Sequence, residues 1–372
     1  MERKYDVAAY VWPSYTTDEP RARIFWEQGI GEWQTVHRAG EPTENKPAGY
    51  VWARRPLWGY VNEANPDVMQ MQINVAYKHG VNVFIYDWYW YDNRPFLENC
   101  LNDGYLKAPN NELVKFYLMW ANHDANHMWK KDLADEFEGE VIWRGDVGPE
   151  IFKTIVGRWI EKYFSHPSYY MIDGKPVVSI YSVMNFIKVF GSPSAAREAL
   201  EYLRSEAMCA GFPGVHIQAV YNAFEGFDYD GRFGGECGNV YSLLGFDSVT
   251  NYNMGTRAER NRDYNEVIEV HKTEYERMER TDMLYFPQVS LGWDNNPRYR
   301  NFRPEIMKNN TPENVKKALL QAREYVDTHA LPAPLVVINS WNEWTETSYL
   351  QPDNIYGYGY LEAVRDVFVE EK

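Results

Sequence analysis

The stretch Leu335-Val-Val-Ile-Asn-Ser-Trp-Asn-Glu-Trp-Thr-Glu346 decides how the rest of the chain is interpreted. It opens with four apolar residues directly after a Pro-Ala-Pro break, which predicts a buried strand. It then changes to amide, indole and carboxylate side chains. A strand that becomes polar at its carboxyl end is typical of an α/β enzyme that presents its chemistry at the strand tips.

Seven further β-rich runs precede this strand, and helical patterns separate most of them. The predicted strands are 6–12, 81–87, 114–120, 176–181, 215–222, 246–252 and 284–291, and the predicted helices are 65–80, 96–106, 149–163, 194–210, 258–280, 311–329 and 360–369. This alternation, with no break in composition, predicts an α/β fold: one (β/α)8 TIM barrel domain over residues 1–372, with long βα loops. A doubly wound sheet is the alternative, but polar tips on most strands favour a barrel.

Two loops stand out. The loop from Thr16 to Glu63 is too long for an ordinary connection, which predicts a functional role. The glycine-rich stretch Gly226–Gly238 lacks the G-x-x-x-x-G-K pattern of a phosphate-binding loop.

Aromatic residues make up 16% of the chain, with 14 Trp and 29 Tyr. Exposed aromatic faces stack on the apolar C–H patches of sugar rings, so we expect an oligosaccharide or polysaccharide substrate. The alternative is that many of these rings pack the core.

The net charge of −15 argues against nucleic acid and anionic membrane surfaces as partners. No apolar run reaches the roughly 18 residues that suggest a membrane helix. The 3 cysteines form neither a metal pattern nor a disulfide framework. We therefore expect no cofactor, no metal and a monomer. The first residues show no signal region, so the expectation is a soluble cytoplasmic protein, with a trimmed periplasmic or secreted mature form as the alternative.

Glu343 and Glu346 are the predicted catalytic pair. Glycoside hydrolysis needs one carboxyl group that protonates the leaving oxygen and a second that acts as base or nucleophile. Residues three apart on a helical or turn-like segment lie on one side, about 5–6 Å apart at Cβ. This spacing suits a retaining enzyme, whose carboxyl groups lie about 5–5.5 Å apart. The alternative is that Glu343 and Glu346 are a pair of solvated loop glutamates without a catalytic role.

The segment Asn339-Ser-Trp-Asn-Glu-Trp-Thr-Glu346, followed by Leu350-Gln-Pro-Asp353, resembles the carboxyl-terminal signature of WbsX-type, glycoside hydrolase family 99-like proteins. Phe84-Ile-Tyr-Asp-Trp-Tyr-Trp90 and Met119-Trp-Ala-Asn122 resemble their second and third barrel strands. The likeness spans nearly the whole chain. One departure is His123, which stands where these proteins usually carry Glu, so the sugar remains open.

The resemblance implies a retaining endo-α-mannosidase mechanism on a (β/α)8 barrel. In that mechanism one Glu acts as base on the 2-hydroxyl of the substrate, which attacks the anomeric carbon and gives an epoxide-like intermediate. The other Glu protonates the leaving group and later activates water. Carried over by position, Glu343 is the base and Glu346 the acid/base.

Substrate contacts are predicted at the strand tips and beside the catalytic pair. They are Trp12, Tyr15, Asp87, Trp88, Trp90, Trp120, Asn122, His123, Asp124, Tyr221, Asn251, Tyr252, Trp293, Asp294, Trp341, Asn342 and Trp344. For Asp87, a structural pairing with an arginine is the alternative, and for His123 and Asp124 it is loop capping. Arg298, Arg300 and Arg303 are interpreted as a solvated basic run, with recognition of an acidic substrate group as the alternative.

The sequence therefore predicts a retaining glycoside hydrolase acting on α-mannoside-like or related linkages. Two other functions remain open: a glycosyltransferase of surface-polysaccharide assembly, and a catalytically inactive sugar-binding barrel. A transferase would require a sugar-nucleotide site, and no nucleotide-binding motif is found.

Overall fold

The computed structural model describes residues 4–17, 19–41, 45–137, 139–221, 228–230, 237–254 and 262–369. Eight strands form its central sheet: β1 Asp6–Val11, β2 Val83–Tyr91, β3 Lys115–Trp120, β4 Lys175–Ile180, β5 His216–Tyr221, β6 Ser248–Asn251, β7 Gln288–Ser290 and β8 Leu335–Asn339. They are parallel and lie in the order β6-β5-β4-β3-β2-β1-β8-β7.

The two edges of this sheet meet just before β7. Val249 N donates to Leu284 O at 2.8 Å, and Phe286 N donates to Val249 O at 3.0 Å, so the sheet closes into a barrel. All eight carboxyl ends then surround one end of the barrel, where such folds carry their sites.

Helices lie between the strands, and the predicted (β/α)8 barrel is confirmed. They are α1 Pro66–Lys78, α2 Pro149–Trp159, α3 Val183–Phe190, α4 Pro193–Cys209, α5 Val240–Leu244, α6 Tyr264–Met278, α7 Pro312–Thr328 and α8 Gly359–Phe368. A short π-helical segment, Cys100–Tyr105, follows β2, and another, Ile160–Phe164, extends α2. The sequence did not predict α3 and α5.

The loops carry shorter elements. These are short helices at Pro20–Ile24, Trp33–Arg38, Asn111–Leu113, His127–Trp129, Lys131–Phe137, Asn296–Arg298 and Trp344–Glu346, and short strands at Arg94–Phe96, Ala125–Asn126, Val141–Trp143, Met171–Ile172, Asp228–Asp230, Cys237–Asn239, Asn342–Glu343 and Ser348–Tyr349. The rest of the predicted glycine-rich stretch between Gly226 and Gly238, and Asn222 before it, lie outside the described residues.

Local signals explain why the helices begin where they do. Asn65 Oδ1 accepts a hydrogen bond from Asp67 N at 2.8 Å, and Pro66 occupies the first position of α1. Thr311 caps α7 in the same way, ahead of Pro312. Such caps contribute about 1 kcal/mol each, because they satisfy amide groups that lack a helical partner.

Strand β2 differs from its prediction in length. The sequence placed its end at Asp87, but it continues to Tyr91 and pairs with Arg94–Phe96. Because side chains alternate along a strand, Asp87 and Tyr89 share one face while Trp88 and Trp90 share the other. This alternation decides which aromatic rings reach the barrel mouth.

No helix among the described residues combines the length and the apolar character needed to cross a membrane.

Candidate active site

A cavity of about 80 Å³ lies at the carboxyl ends of the barrel strands. Its walls are Trp12, Asp87, Tyr89, Met119, Ala121, His123, Met128, Trp129, Tyr181, Tyr252, Arg298, Glu343 and Glu346. A larger groove, of about 970 Å³, lies between the loop at residues 36–60 and Asn354. Glu41 is the one carboxylate among the residues lining that groove, so the paired acids mark the smaller cavity as the candidate site.

The segment after β8 brings the two glutamates to this cavity. Asn342–Glu343 pairs antiparallel with Ser348–Tyr349, and Trp344–Glu346 forms a single helical turn. Ser340 Oγ accepts a hydrogen bond from Glu343 N at 2.8 Å, which holds the turn against the strand end. The predicted turn-like segment is therefore present, and both carboxyl groups face the same space.

Arg298 binds both carboxyl groups. Its Nη1 donates to Glu346 Oε1 at 2.7 Å and its Nη2 to Glu343 Oε2 at 3.2 Å. Its Nε donates to Glu32 Oε1 at 3.0 Å. Because Arg298 is 3% exposed, its interpretation as part of a solvated basic run is wrong. Arg300 fits that interpretation, since it is exposed and pairs with Asp132 at 2.6 Å.

Tyr252 joins a fourth carboxyl group, that of Asp87, to this cluster. Its hydroxyl group lies 3.0 Å from Asp87 Oδ2 and 3.1 Å from Glu343 Oε1. The other Asp87 oxygen, Oδ1, is buried without a hydrogen-bond partner. An unsatisfied buried acceptor costs about 1–3 kcal/mol, so the unpaired Asp87 oxygen needs an explanation, such as a hydrogen bond from a ligand.

Burial controls the protonation of this cluster. It raises the pKa of Glu343 well above its usual value, and the nearby Glu346 raises it further, while Arg298 opposes the shift. Burial also raises the pKa of Glu346 and, strongly, that of Asp87. Burial disfavours the Arg298 cation, but its carboxylate neighbours keep its pKa above the usual value. Glu343 and Glu346 share one guanidinium, so this pair retains protons more readily than free carboxylates do.

Aromatic side chains build the cavity wall around His123. Its ring lies edge-on to Tyr89, Tyr181 and Trp129, with centroid distances of 5.7, 5.5 and 6.1 Å. His123 Nδ1 lies 2.9 Å from Asp124 O, which assigns the proton to Nδ1. Burial lowers the pKa of His123, so the imidazole is neutral near pH 7.

Thirteen of the 17 predicted substrate contacts do not line the cavity, and five of these are tryptophans of the interior. Trp88 Nε1 donates to Glu98 at 2.8 Å, and Trp88 packs with Trp90 at 5.8 Å, both on the outer face of β2. Trp120 stacks on Phe152 of α2 at 5.8 Å. The remaining two are Trp341 and Trp344. These five rings are buried in the interior, and their prediction as substrate contacts is corrected.

Trp341 and Trp344 pack behind the turn that carries Glu343 and Glu346. Their indole nitrogens donate to Gln72 and Gln351, each at 2.7 Å. Asn342 binds the end of β1: its Oδ1 accepts from Trp12 N at 2.8 Å and its Nδ2 donates to Trp12 O at 2.9 Å. Asn342 therefore fixes the turn against β1 and does not line the cavity.

Four further predicted contacts hold loops in place. Tyr15 is buried, and its hydroxyl group accepts from Trp344 N at 3.2 Å. Asn122 pairs with the backbone of Ser182 through two bonds of 2.7 Å. Asp124 accepts from Gly145 N at 2.8 Å, as the capping alternative predicted. Asn251 accepts from Tyr285 Oη at 2.7 Å. None of the four lines the cavity.

The last three predicted contacts also lie outside the cavity. Tyr221 packs under Arg277, whose guanidinium also bonds the phenol oxygen. Trp293 is half-buried against the core. Asp294 accepts from Tyr50 Oη at 2.8 Å and from Asn296 N at 3.0 Å. Asp294 thereby shapes the turn that presents Arg298.

The structure adds residues that the sequence did not single out. Glu32 lies within the long predicted loop and receives bonds from Arg298 Nε and from Trp12 Nε1, the latter at 2.6 Å. The long loop therefore contacts the carboxylate cluster through Glu32. Tyr89, Trp129 and Tyr181 line the cavity, and for Tyr89 the signal was present, since it alternates with Asp87. Among the described residues, no group of three or more His, Cys, Asp or Glu side chains is placed to hold a metal ion.

Fold and site together define a (β/α)8 barrel with an arginine-bound carboxylate pair at the tip of β8. The family model described as "Glycosyltransferase WbsX" matches residues 7–364, so the chain belongs to this family. Two relatives, both described as "Uncharacterized protein WxcX", come from Xanthomonas campestris pv. campestris strains ATCC 33913 and B100. Each is 24% identical over 355 residues, which covers 93% of this chain and 47% of the relative. The chain thus spans about half the length of these curated relatives.

Solved structures share the fold. A "Glycoside hydrolase-like protein" superposes with a TM-score of 0.62 at 15% identity, over 100% of this chain and 95% of the other. The GH99 endo-alpha-mannosidase from Bacteroides thetaiotaomicron superposes with a TM-score of 0.56 at 13% identity, over 97% of this chain and 95% of the other. At these identities the likeness establishes the barrel alone.

Proposed function

We propose that the protein is a retaining glycoside hydrolase that cleaves α-mannoside-like or related linkages in a glycan or polysaccharide. The observation that carries this proposal is the convergence of Glu343 and Glu346 on one cavity, with both carboxyl groups bound by Arg298. Two carboxyl groups with separate roles are the common requirement of glycoside hydrolysis.

In the proposed mechanism, Glu343 takes the proton of the substrate 2-hydroxyl as that oxygen attacks the anomeric carbon. The bond to the leaving oxygen breaks, and Glu346 supplies its proton. Water then attacks the anomeric carbon and breaks its bond to the 2-oxygen; Glu346 accepts a proton from that water, and Glu343 returns its proton to the released 2-oxygen. Two inversions at the anomeric carbon give net retention.

The surroundings of the two glutamates support this division of roles. Glu343 accepts from Arg298, and the Tyr252 hydroxyl group lies 3.1 Å from it with one hydrogen that either Glu343 or Asp87 can accept. Donors of this kind stabilise a carboxylate base. The Glu346 side chain is 12% exposed against 4% for Glu343, which suits a group that exchanges protons with a leaving group and with water. Burial favours the proton on Glu343, so the mechanism requires substrate binding to shift the pair toward a protonated Glu346.

The cavity wall fits a sugar ring. Trp12, Tyr89, Trp129 and Tyr181 supply apolar and aromatic surface. The unpaired Oδ1 of Asp87 is an acceptor for a sugar hydroxyl. A few placed polar groups within an apolar wall are typical of small-molecule sites.

The family description favours a second candidate, a glycosyltransferase. Its sugar-nucleotide donor would bring a pyrophosphate, which needs uncompensated positive charge. Arg298 is the one permanent cation among the residues that line the cavity, and three carboxyl groups already bind it. This charge balance favours a neutral glycan over a nucleotide diphosphate.

Incubation with a panel of α-glycans, followed by proton NMR, tests the proposal. We expect new reducing ends whose first-formed anomer is α. A first-formed β anomer would contradict retention, whereas consumption of a sugar nucleotide with no glycan hydrolysis would favour the transferase.

A further inference from the structure

A buried carboxyl group lies directly behind the catalytic turn. Glu63, at the end of the long loop after β1, is 1% exposed. Its Oε1 accepts from Gln351 Nε2 at 2.7 Å and from Gln72 Nε2 at 3.1 Å, and its Oε2 accepts from Asn342 Nδ2 at 2.9 Å. Each of these three amides belongs to or contacts the turn that carries the proposed catalytic pair.

The two tryptophans of the turn fix the direction of these bonds. An indole nitrogen can only donate. Trp341 Nε1 donates to Gln72 Oε1 and Trp344 Nε1 donates to Gln351 Oε1, each at 2.7 Å. Both glutamine oxygens are thereby occupied, so both amide nitrogens point at Glu63.

The orientation of the Asn342 amide is fixed in a similar way. Its Oδ1 accepts from the backbone nitrogen of Trp12 at 2.8 Å, so its Nδ2 is the atom that faces Glu63. Three amide donors therefore converge on one carboxyl group. A protonated Glu63 would direct its own hydrogen at one of these donors, and the network would lose a bond.

We propose that Glu63 is a positioning residue: as a carboxylate it holds the turn that carries Glu343 and Glu346, and protonation of Glu63 loosens that turn. The catalytic part of this inference rests on the proposed hydrolase function, whereas the structural part does not depend on it.

The neighbours of Glu63 place this switch near neutral pH. Burial raises the pKa of Glu63 to about 7, although the three amides oppose the shift. The titratable groups that face it are the thiol of Cys100, with Sγ 4.0 Å from Oε2, and the phenols of Tyr15 and Tyr86. Burial raises the pKa of each of these three well above its usual value. Glu63 is therefore the group of this cluster that gains a proton as the pH falls through 7.

The near-UV circular dichroism of the wild-type protein tests the structural part without any substrate. We expect the tryptophan signal to change with a midpoint at about pH 7. The change should persist in Glu343→Gln and Glu346→Gln and should be absent in Glu63→Gln. A wild-type signal that stays flat from pH 5.5 to pH 8.5, or a transition that Glu63→Gln retains, would overturn the proposal.

Turnover tests the catalytic part. At pH 8 we expect Glu63→Gln to lower kcat by about 10- to 100-fold with little change in KM, since small displacements of catalytic groups cost up to about 100-fold. The double variant Glu63→Gln/Gln351→Glu exchanges the two side chains that share the 2.7 Å hydrogen bond. The carboxylate then stands at position 351, where it still accepts from Trp344 Nε1. We expect the double variant to regain at least about a third of the wild-type kcat.

The exposed Glu150→Gln serves as the matched control and should leave kcat unchanged. Unchanged kcat in Glu63→Gln, or no recovery in the exchanged pair, would refute the positioning role. If the wild-type protein hydrolyses no glycan, the proposed function fails, and the dichroism titration still decides whether Glu63 controls the turn.

Discussion

The Nη1 atom of Arg298 lies 2.7 Å from Oε1 of Glu346, although 48 positions separate the two residues in the chain. The same guanidinium holds Glu343 and Glu32. One cation thus orients the two proposed catalytic groups and compensates part of their charge.

Arg298→Met should destabilise the protein strongly, because it leaves three buried carboxyl groups without their cation. Breaking a buried ion pair costs about 3–5 kcal/mol of unfolding free energy. We expect the loss to be largest at pH 8 and smaller at pH 5, where Glu343 and Glu346 hold protons more readily. Urea unfolding at the two pH values measures it. The control is Arg300→Met, a 54% exposed side chain, and equal losses in the two variants would contradict the role of Arg298.

Tyr252→Phe should lower kcat/KM by about 10- to 100-fold, since it removes the hydroxyl group between Asp87 and Glu343. The Tyr252 hydrogen bond lowers the pKa of Asp87 against the larger effect of burial, so its loss raises that pKa further. The acid limb of the pH–rate profile should therefore move to higher pH. Tyr202→Phe, on α4 and outside the cavity lining, is the control. An unchanged pH–rate profile in Tyr252→Phe would show that this hydroxyl group takes no part in the mechanism.

The buried Asp87 predicts a particular dependence of stability on pH. Its pKa is raised in the folded state, so the folded protein binds more protons than the unfolded chain above about pH 4. Stability from this group is therefore lost as the pH rises through its folded pKa. Asp87→Asn should flatten the fall in unfolding free energy between pH 5 and pH 8, whereas Asp366→Asn at the surface should not. A steeper fall of the unfolding free energy with rising pH in Asp87→Asn would contradict the raised pKa of Asp87.

Two tryptophans of similar burial should respond differently, because one lines the cavity and the other does not. Trp129→Phe is expected to raise KM several-fold, while Trp88→Phe should leave KM unchanged and lower the unfolding temperature, since it loses its bond to Glu98. Steady-state kinetics and thermal unfolding of both variants separate these outcomes. A KM effect in Trp88→Phe would contradict the placement of that ring.

Much of the fold was predictable from the sequence, because its signals are local. Asn65 with Pro66, and Thr311 with Pro312, mark helix starts through bonds within a few residues. Glu343 and Glu346 were also predictable as a pair, since their shared orientation depends on a turn three residues long.

The remaining site residues depend on contacts far apart in the chain. Arg298 looked like one member of a basic run, because its partner Glu32 lies 266 positions away. The prediction of Trp88 and Trp90 as substrate contacts rests on ending β2 at Asp87. The four further residues of β2 place these rings on the outer face. The alternation of Asp87 with Tyr89 is the local signal for this continuation, and the predicted strand did not include it.

Turnover of a natural α-glycan by Glu343→Gln and Glu346→Gln tests the central claim most directly. We expect each variant to lose about 10²–10⁴-fold in kcat, as removal of an acid or base group does. A glycoside with an activated leaving group should restore bond cleavage in Glu346→Gln, which then needs no acid, and should not restore it in Glu343→Gln. If cleavage of that glycoside were restored only in Glu343→Gln, Glu343 would be the acid/base and Glu346 the base. Wild-type turnover in both variants would contradict the assignment of this pair as the catalytic groups.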